Sequence, residues 1–107
     1  MEKIRNTYNT KNYVKALDQL NAYLKANGLE LEALKYQILT LDKLQKYDEC
    51  RQAFELYLIL NPLDCDIIRL KIQFLKKEKK YLELNDYLDY IEKNMPIELD
   101  SSNIFNF

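Results

Sequence analysis

The chain contains no histidine, no tryptophan and only one glycine among its 107 residues. Without histidine it lacks the commonest general base and the commonest transition-metal ligand of proteins. One glycine cannot build the glycine-rich loop that holds a nucleotide phosphate. The two cysteines, Cys50 and Cys65, form neither a CxxC pair nor a disulfide framework, so we expect two reduced thiols. These absences predict a protein that is not an enzyme and that has no metal or other cofactor.

Long apolar runs are also missing. No run approaches the roughly 20 residues that span a bilayer, and the first ten residues lack the apolar segment of a secretion signal. The net charge of −1 gives no general attraction to nucleic acid or to an anionic membrane. Hydrophobic residues make up 48% of the chain and charged residues 31%, which is typical of a folded domain. We therefore expect a soluble, cytoplasmic protein with no nucleic-acid or membrane partner.

The feature that organises the sequence is a repeat of 34 residues. It is marked by three tyrosines, each followed fifteen residues later by a helix breaker. The tyrosines are Tyr13, Tyr47 and Tyr81, and the breakers are Gly28, Pro62 and Pro96. A breaker at one fixed phase in consecutive segments indicates tandem copies of one structural unit.

Apolar residues at spacings of three and four predict six helices and no strand. The predicted helices are 1–10, 13–26, 29–44, 47–60, 65–77 and 81–94. We expect Gly28 to end the second helix in a left-handed conformation and Asp64 to cap the fifth. The core positions predicted for the third helix include Leu31, and Tyr81 is predicted to pack in the sixth.

The six helices are predicted to form three antiparallel hairpins, at 1–28, 29–62 and 63–96. No hairpin can bury its apolar faces alone, so neighbouring hairpins must stack, giving an all-α solenoid. The sixth helix keeps an apolar flank that includes Leu82 and Tyr90. We expect the tail at 97–107 to pack on that helix or on a neighbouring molecule, using Ile104, Phe105 and Phe107.

Over residues 1–96 the chain resembles the tetratricopeptide-repeat proteins. The likeness rests on the 34-residue period, on the tyrosine that opens each second helix, on Ala16 and Cys50 at a small position, and on the terminal prolines. The large position of the second helix is matched by Leu20, Phe54 and Leu88. The resemblance implies a superhelix whose first helices line a concave groove that binds peptides or partner proteins.

The sequence departs from the family pattern where the two helices of a hairpin approach each other. Bulky residues occupy the middle of every first helix, namely Ile4, Ile38 and Ile72. In the third hairpin the small position of the second helix is also bulky, because Leu84 stands there. Two large side chains at one crossing separate the helices, so we expect the third hairpin to be the least regular.

Helix geometry places a mildly basic set of side chains on the first-helix faces that lie opposite the core. The predicted partner-binding residues are Arg5, Tyr8, Asn9, Lys35, Leu39, Lys43, Arg69, Gln73 and Lys76. Together with the acidic outer faces of the second helices, they predict a protein or peptide partner with an acidic segment. The alternative is that these lysines only form a solvated face and complement the negative ends of the helix dipoles.

Three other functions compete with this one. A carboxylate clamp of the chaperone-binding kind is not favoured, since only Arg5 keeps its character among the corresponding positions Met1, Arg5, Tyr36, Asp66 and Leu70. Nucleic-acid recognition would need more positive charge than a chain with a pI near 5.5 offers. The remaining alternative is a structural or oligomerisation module, a homo-oligomer formed through the C-terminal repeat or tail, or a fragment of a longer solenoid.

Overall fold

All six predicted helices are present in the computed structural model, which describes residues 1–94. They are α1 (Glu2–Asn9), α2 (Tyr13–Asn27), α3 (Leu31–Lys43), α4 (Tyr47–Leu60), α5 (Cys65–Lys77) and α6 (Tyr81–Asn94). Residues 1–94 contain no strand, which confirms the all-α prediction. The breaker predicted at Pro96 and the packing predicted for the tail at 97–107 lie outside the described residues.

The helices belong to two units. The first unit, Met1–Pro62, contains α1 to α4, in which each helix packs against the next along the chain. The second unit begins at Leu63, and its described part contains α5 packed against α6. The first unit thus holds the hairpins predicted at 1–28 and 29–62.

The core of the first unit joins three helices at one point. Ile4 of α1 packs with Leu20 of α2 and Ala33 of α3, and all three side chains are buried. The half-buried residues Met1, Tyr23, Leu24 and Tyr36 cover this cluster. Burying one leucine or isoleucine side chain contributes roughly 1.5–3 kcal/mol to folding. Each helix therefore depends on more than one neighbour for its stability.

The helices α3 and α4 cross at a small residue. Cys50 is fully buried there, and its thiol donates to the backbone carbonyl of Ile38 across a distance of 3.7 Å. Ala16 holds the equivalent position in α2 and is also fully buried. A small side chain lets one helix approach the backbone of the other, which is the role predicted for both residues.

The hairpin of α5 and α6 is less tightly joined. Helices α5 and α6 have 13 and 14 residues, the same lengths as α3 and α4. Nevertheless α5 and α6 lie close together over a smaller part of their lengths than α3 and α4 do. Leu84 is buried at the position that Cys50 holds in α4, and Ile72 is buried in α5. This looser packing agrees with the prediction for the third hairpin, which rests on large side chains at the helix crossing.

The packing of the second unit corrects several predictions. Apolar spacing predicts a buried stripe of Ile68, Ile72 and Leu75 on α5, and the structure buries Ile67 and Phe74 as well. On α6, Tyr81 is 57% exposed, which contradicts its predicted place in the core. The tyrosine of α6 that does pack against α5 is Tyr87, because Lys71 covers its ring with the Nζ atom 4.1 Å from the ring centroid. Lys71 packs on this ring through its aliphatic stem and its ammonium group. The spacing of apolar residues does not predict such a contact.

In the first unit, Leu31 is 38% exposed, so its predicted core position is wrong. The reason lies in where α3 starts. Glu30 has an extended backbone, with φ −95° and ψ 130°, and the helix begins two residues later than predicted, at Leu31 itself. Leu31 is therefore the first residue of α3, and no preceding helical turn covers its side chain.

Three helix ends share one backbone geometry, and they recur with the 34-residue period. Lys11, Gln45 and Lys79 have φ angles of 65°, 59° and 60°, in the left-handed region. In the second of these turns, the Gln45 amide donates to the Asp42 carbonyl and the Lys46 amide donates to the Leu41 carbonyl, both at 3.0 Å. The equivalent pair of hydrogen bonds closes the other two turns. This arrangement caps the carbonyls at the end of a helix, and glycine is its usual central residue.

Two predicted helix ends can be compared with the structure directly. The Asp64 carboxylate accepts from the amides of Asp66 at 3.0 Å and Ile67 at 3.4 Å, which confirms its capping role. Gly28 has a positive φ of 80°, as predicted, but its ψ of −170° lies outside the left-handed helical region. Only glycine adopts that combination readily, so the glycine is required by backbone conformation.

Replacing Gln45 with glycine is expected to raise the free energy of unfolding by about 0.5–1 kcal/mol, because glycine adopts a positive φ without the steric cost of a Cβ. The control is Gln52→Gly at an exposed position inside α4. There the same substitution should lower the free energy of unfolding by about 1 kcal/mol. Urea unfolding followed by circular dichroism measures both, and equal losses would contradict the left-handed conformation of Gln45.

Replacing Cys50 with leucine should destabilise the first unit by about 1–3 kcal/mol, because the added atoms force α3 and α4 apart. The matched variant is Cys65→Leu, at a half-buried position at the start of α5. This variant is expected to lower the free energy of unfolding by less than about 1 kcal/mol, because most substitutions at partly exposed positions have small effects. Similar stability of the two variants in chemical denaturation would show that Cys50 does not lie at a close crossing.

Candidate functional site

The predicted binding residues lie in both units, and each group is described within its own unit. In the first unit they come from α1 and α3. Lys35, Leu39 and Lys43 are spaced by four residues along α3, so they form one stripe that borders the buried Leu34 and Ile38. Lys43 is exposed, while Lys35 and Leu39 are half-buried. This α3 stripe presents a cation, an apolar side chain and a second cation in sequence.

Arg5 is engaged within the protein. Its guanidinium forms an ion pair with the carboxylate of Glu32, which joins α1 to α3. The two side chains are 38% and 46% exposed, so water screens the pair and its contribution to stability is about 0–1 kcal/mol. The positive charge of Arg5 is therefore balanced before any ligand arrives, and it adds little to the net charge of this face.

Tyr8 also makes contacts inside the unit. Its ring meets the rings of Tyr13 and Tyr36 edge to face, with centroid distances of 5.4 Å and 5.3 Å. These three residues, the tyrosine cluster, connect the end of α1, the start of α2 and the middle of α3. Edge-to-face pairs of this kind stabilise by about 0.5–1.5 kcal/mol beyond the area they bury. Sequence reasoning assigned Tyr8 to ligand binding, and its contacts give it a structural role as well.

The environment of Tyr8 favours its neutral form. Burial is the largest cause that raises the pKa of its hydroxyl above 10.0, and Tyr13, Tyr36 and Asp42 raise it further. The sequence-based set of binding residues did not include Tyr13, which was assigned to the packing of α2. Its position two residues after a left-handed turn is what brings its ring back to Tyr8. Asn9, the last residue of α1, follows Tyr8 in the sequence and is exposed.

In the second unit the predicted residues form one stripe on α5. Arg69, Gln73 and Lys76 are four and three residues apart, so they share one side of α5, next to the buried Ile72. Gln73 is exposed, and Arg69 and Lys76 are half-buried. The Nε atom of Arg69 is buried and makes no hydrogen bond to the described part of the chain. This stripe holds two cations with the exposed carboxylate of Asp66 at its start.

Residues 1–94 also contain a shallow depression, which lies on a single helix. This depression, on α1, is lined by Glu2, Lys3, Asn6, Thr7 and Thr10, which all belong to that one helix or its end. Within residues 1–94, no three histidine, cysteine or acidic side chains are grouped so that they could hold a metal ion. None of the helices from α1 to α6 has the length and apolar character needed to cross a membrane.

Comparison with protein-family models found no match, and comparison with curated proteins and with solved structures found none either.

Replacing Tyr8 with phenylalanine should leave stability at pH 7 nearly unchanged, because the ring contacts remain. Above pH 10 the variant should keep more of its stability than the native chain. Because the folded state raises the pKa of Tyr8, the hydroxyl ionises in the unfolded chain before it ionises in the folded one. The contribution of Tyr8 to the free energy of unfolding is therefore fully present below pH 10 and is lost as the pH rises above it. Denaturation series at neutral and alkaline pH measure this difference. Parallel losses for both proteins above pH 10 would contradict the burial of the Tyr8 hydroxyl.

Proposed function

We propose that this protein is a non-enzymatic interaction module built from tandem helical hairpins of the tetratricopeptide-repeat kind. Its first helices would bind an extended segment of a partner protein. The observation that carries the proposal is the recurrence, every 34 residues, of the same left-handed turn at Lys11, Gln45 and Lys79. A hairpin repeated in this way presents the same helix face several times. Repeated faces are suited to holding an extended chain at successive points.

The α3 stripe suggests how such a segment would be held. Leu39 offers an apolar surface between Lys35 and Lys43, one helical turn away on each side. An extended peptide with an apolar residue flanked by carboxylates is complementary to this order of side chains. Charged groups at such a surface contribute specificity and association rate more than they contribute affinity.

The charges on the first helices favour an acidic partner. In the first unit the ion pair with Glu32 balances Arg5, and the other charged side chains of α3 are two lysines, Lys35 and Lys43, and one carboxylate, Asp42. In the second unit the α5 stripe has two cations, and further lysines follow it at the end of the helix. Both described faces of the first helices are therefore more positive than the chain as a whole, whose net charge is −1.

The test uses a fluorescein-labelled acidic peptide with leucine flanked by glutamates, titrated with the protein and followed by fluorescence anisotropy. Lys35→Gln/Lys43→Gln should weaken binding roughly five- to tenfold, because two favourable contacts with carboxylates are lost. The matched control is Lys15→Gln/Lys25→Gln, which removes the same charge from exposed positions of α2. The control should change the dissociation constant less than about twofold, since distant exposed charges are screened.

Equal weakening in both double variants would mean that only net charge matters and would contradict binding on α3. Light scattering on the same samples addresses the alternative of an oligomerisation module. That alternative has one observation in its favour, since Leu82 is 84% exposed and Tyr90 48% exposed on α6. A molecular mass of twice the chain mass, with no peptide binding, would favour self-association over the proposed function.

A further inference from the structure

The end of α5 and the turn that follows it carry the densest positive charge in the chain. Residues 76–80 are four lysines and Glu78, with a net charge of +3, and we call this segment the lysine turn. Lys77, Lys79 and Lys80 are exposed, and Lys76 is half-buried. Cations near the end of a helix complement its dipole, and this effect alone could account for one or two of them.

The two equivalent turns show what the backbone requires. Residues 8–12 and 42–46 have the same left-handed residue and the same pair of backbone hydrogen bonds as residues 76–80. They contain one lysine and two lysines respectively, against four in the lysine turn. Turn geometry and the helix dipole act equally on all three segments. They therefore do not account for the additional lysines of the third.

One of the lysines stands at a position where the backbone favours glycine. Lys79 has a φ of 60°, where a Cβ brings a steric cost that glycine would avoid. The backbone of the turn therefore does not explain why a lysine is present at this position.

Apolar surface adjoins the lysine turn directly. Tyr81 and Leu82, the first two residues of α6, are 57% and 84% exposed. A single exposed leucine is common on protein surfaces. Here two large side chains directly follow Lys79 and Lys80, which places an apolar surface beside a cationic one. The same combination of charges and an apolar contact characterises the α3 stripe.

We propose that the lysine turn, with Tyr81 and Leu82, binds a short acidic segment of a partner protein that carries at least one apolar residue. This inference rests on the proposed function, and it locates where the strongest charge contact with the partner is made. The lysines contact the partner's carboxylates, and Leu82 contacts its apolar side chain.

A short protein segment fits this surface better than a nucleic acid or a membrane does. Carboxylates are exposed along α6 directly after the turn, at Glu83, Asp86, Asp89 and Glu92. Double-stranded nucleic acid carries one charge per ~1.7 Å of its axis and would extend past the turn onto these carboxylates. A flat anionic bilayer would meet the same repulsion. A segment with three or four carboxylates can contact the lysines alone.

The experiment measures binding of a fluorescein-labelled DELEDE peptide to the full chain. Lys79→Gln/Lys80→Gln should weaken binding roughly five- to tenfold at low salt, and the difference should shrink as added salt screens the charges. The matched control is Lys11→Gln/Lys46→Gln, which removes lysines from the same two positions of the equivalent turns. It should change the dissociation constant less than about twofold. Leu82→Gln should weaken binding without changing its salt dependence.

Two outcomes would overturn the inference. One is equal weakening in the two lysine double variants. The other is tighter, Lys79- and Lys80-dependent binding to a single-stranded oligonucleotide or to phosphatidylserine vesicles than to the peptide. If Lys35→Gln/Lys43→Gln weakens peptide binding and Lys79→Gln/Lys80→Gln does not, the lysine turn fails and the proposed function stands. The reverse result removes the α3 stripe and leaves the turn, and no binding by the native chain refutes both.

Discussion

Burial of an apolar helix face against more than one neighbour is the constraint on which the first unit depends. Ile4, Leu20 and Ala33 meet from three different helices, so removing any one helix exposes the side chains of the others. Hydrophobic burial scales with the area removed from water, and a helix of eight residues such as α1 has little intrinsic stability in isolation. The short first helix is therefore maintained by packing, by the ion pair of Arg5 and by the tyrosine cluster.

The same constraint decides which surface side chains are available for binding. Tyr8 and Arg5 lie on the outward side of α1 by sequence, yet their contacts to Tyr36 and Glu32 connect α1 to α3. The side chains that remain exposed include Lys43 and the lysines after α5. These are the ones to which we assign the proposed binding role.

Much of the fold could be predicted from the sequence because the repeat supplies several copies of one pattern. Helix α4 runs from Tyr47 to Leu60 as predicted, since a tyrosine opens it and Pro62 disfavours the helical conformation at Asn61, whose φ is −145° and ψ 80°. The left-handed turns were not predicted, because lysine and glutamine occupy positions where glycine is the usual signal. The 34-residue spacing of Lys11, Gln45 and Lys79 becomes informative only once their φ angles are known.

The site was predictable only in part. Spacing along one helix suffices to place Lys35, Leu39 and Lys43 on a common stripe. It does not reveal that Arg5 meets Glu32, since that contact depends on how two separate helices pack. The exposure of Tyr81 was missed for a related reason, because it depends on how closely α5 and α6 pack, whereas the period places Tyr81 only by its equivalence to Tyr13 and Tyr47.

The central claim, one helical hairpin repeated with its turn geometry intact, can be measured directly by nuclear magnetic resonance. A residue with a positive φ has its amide and α protons unusually close together, which gives a strong intraresidue nuclear Overhauser effect. The account predicts this strong effect at Lys11, Gln45 and Lys79 together, and ordinary helical intensities at their neighbours inside α1, α3 and α5. Ordinary intensity at any one of the three would contradict a threefold repeat.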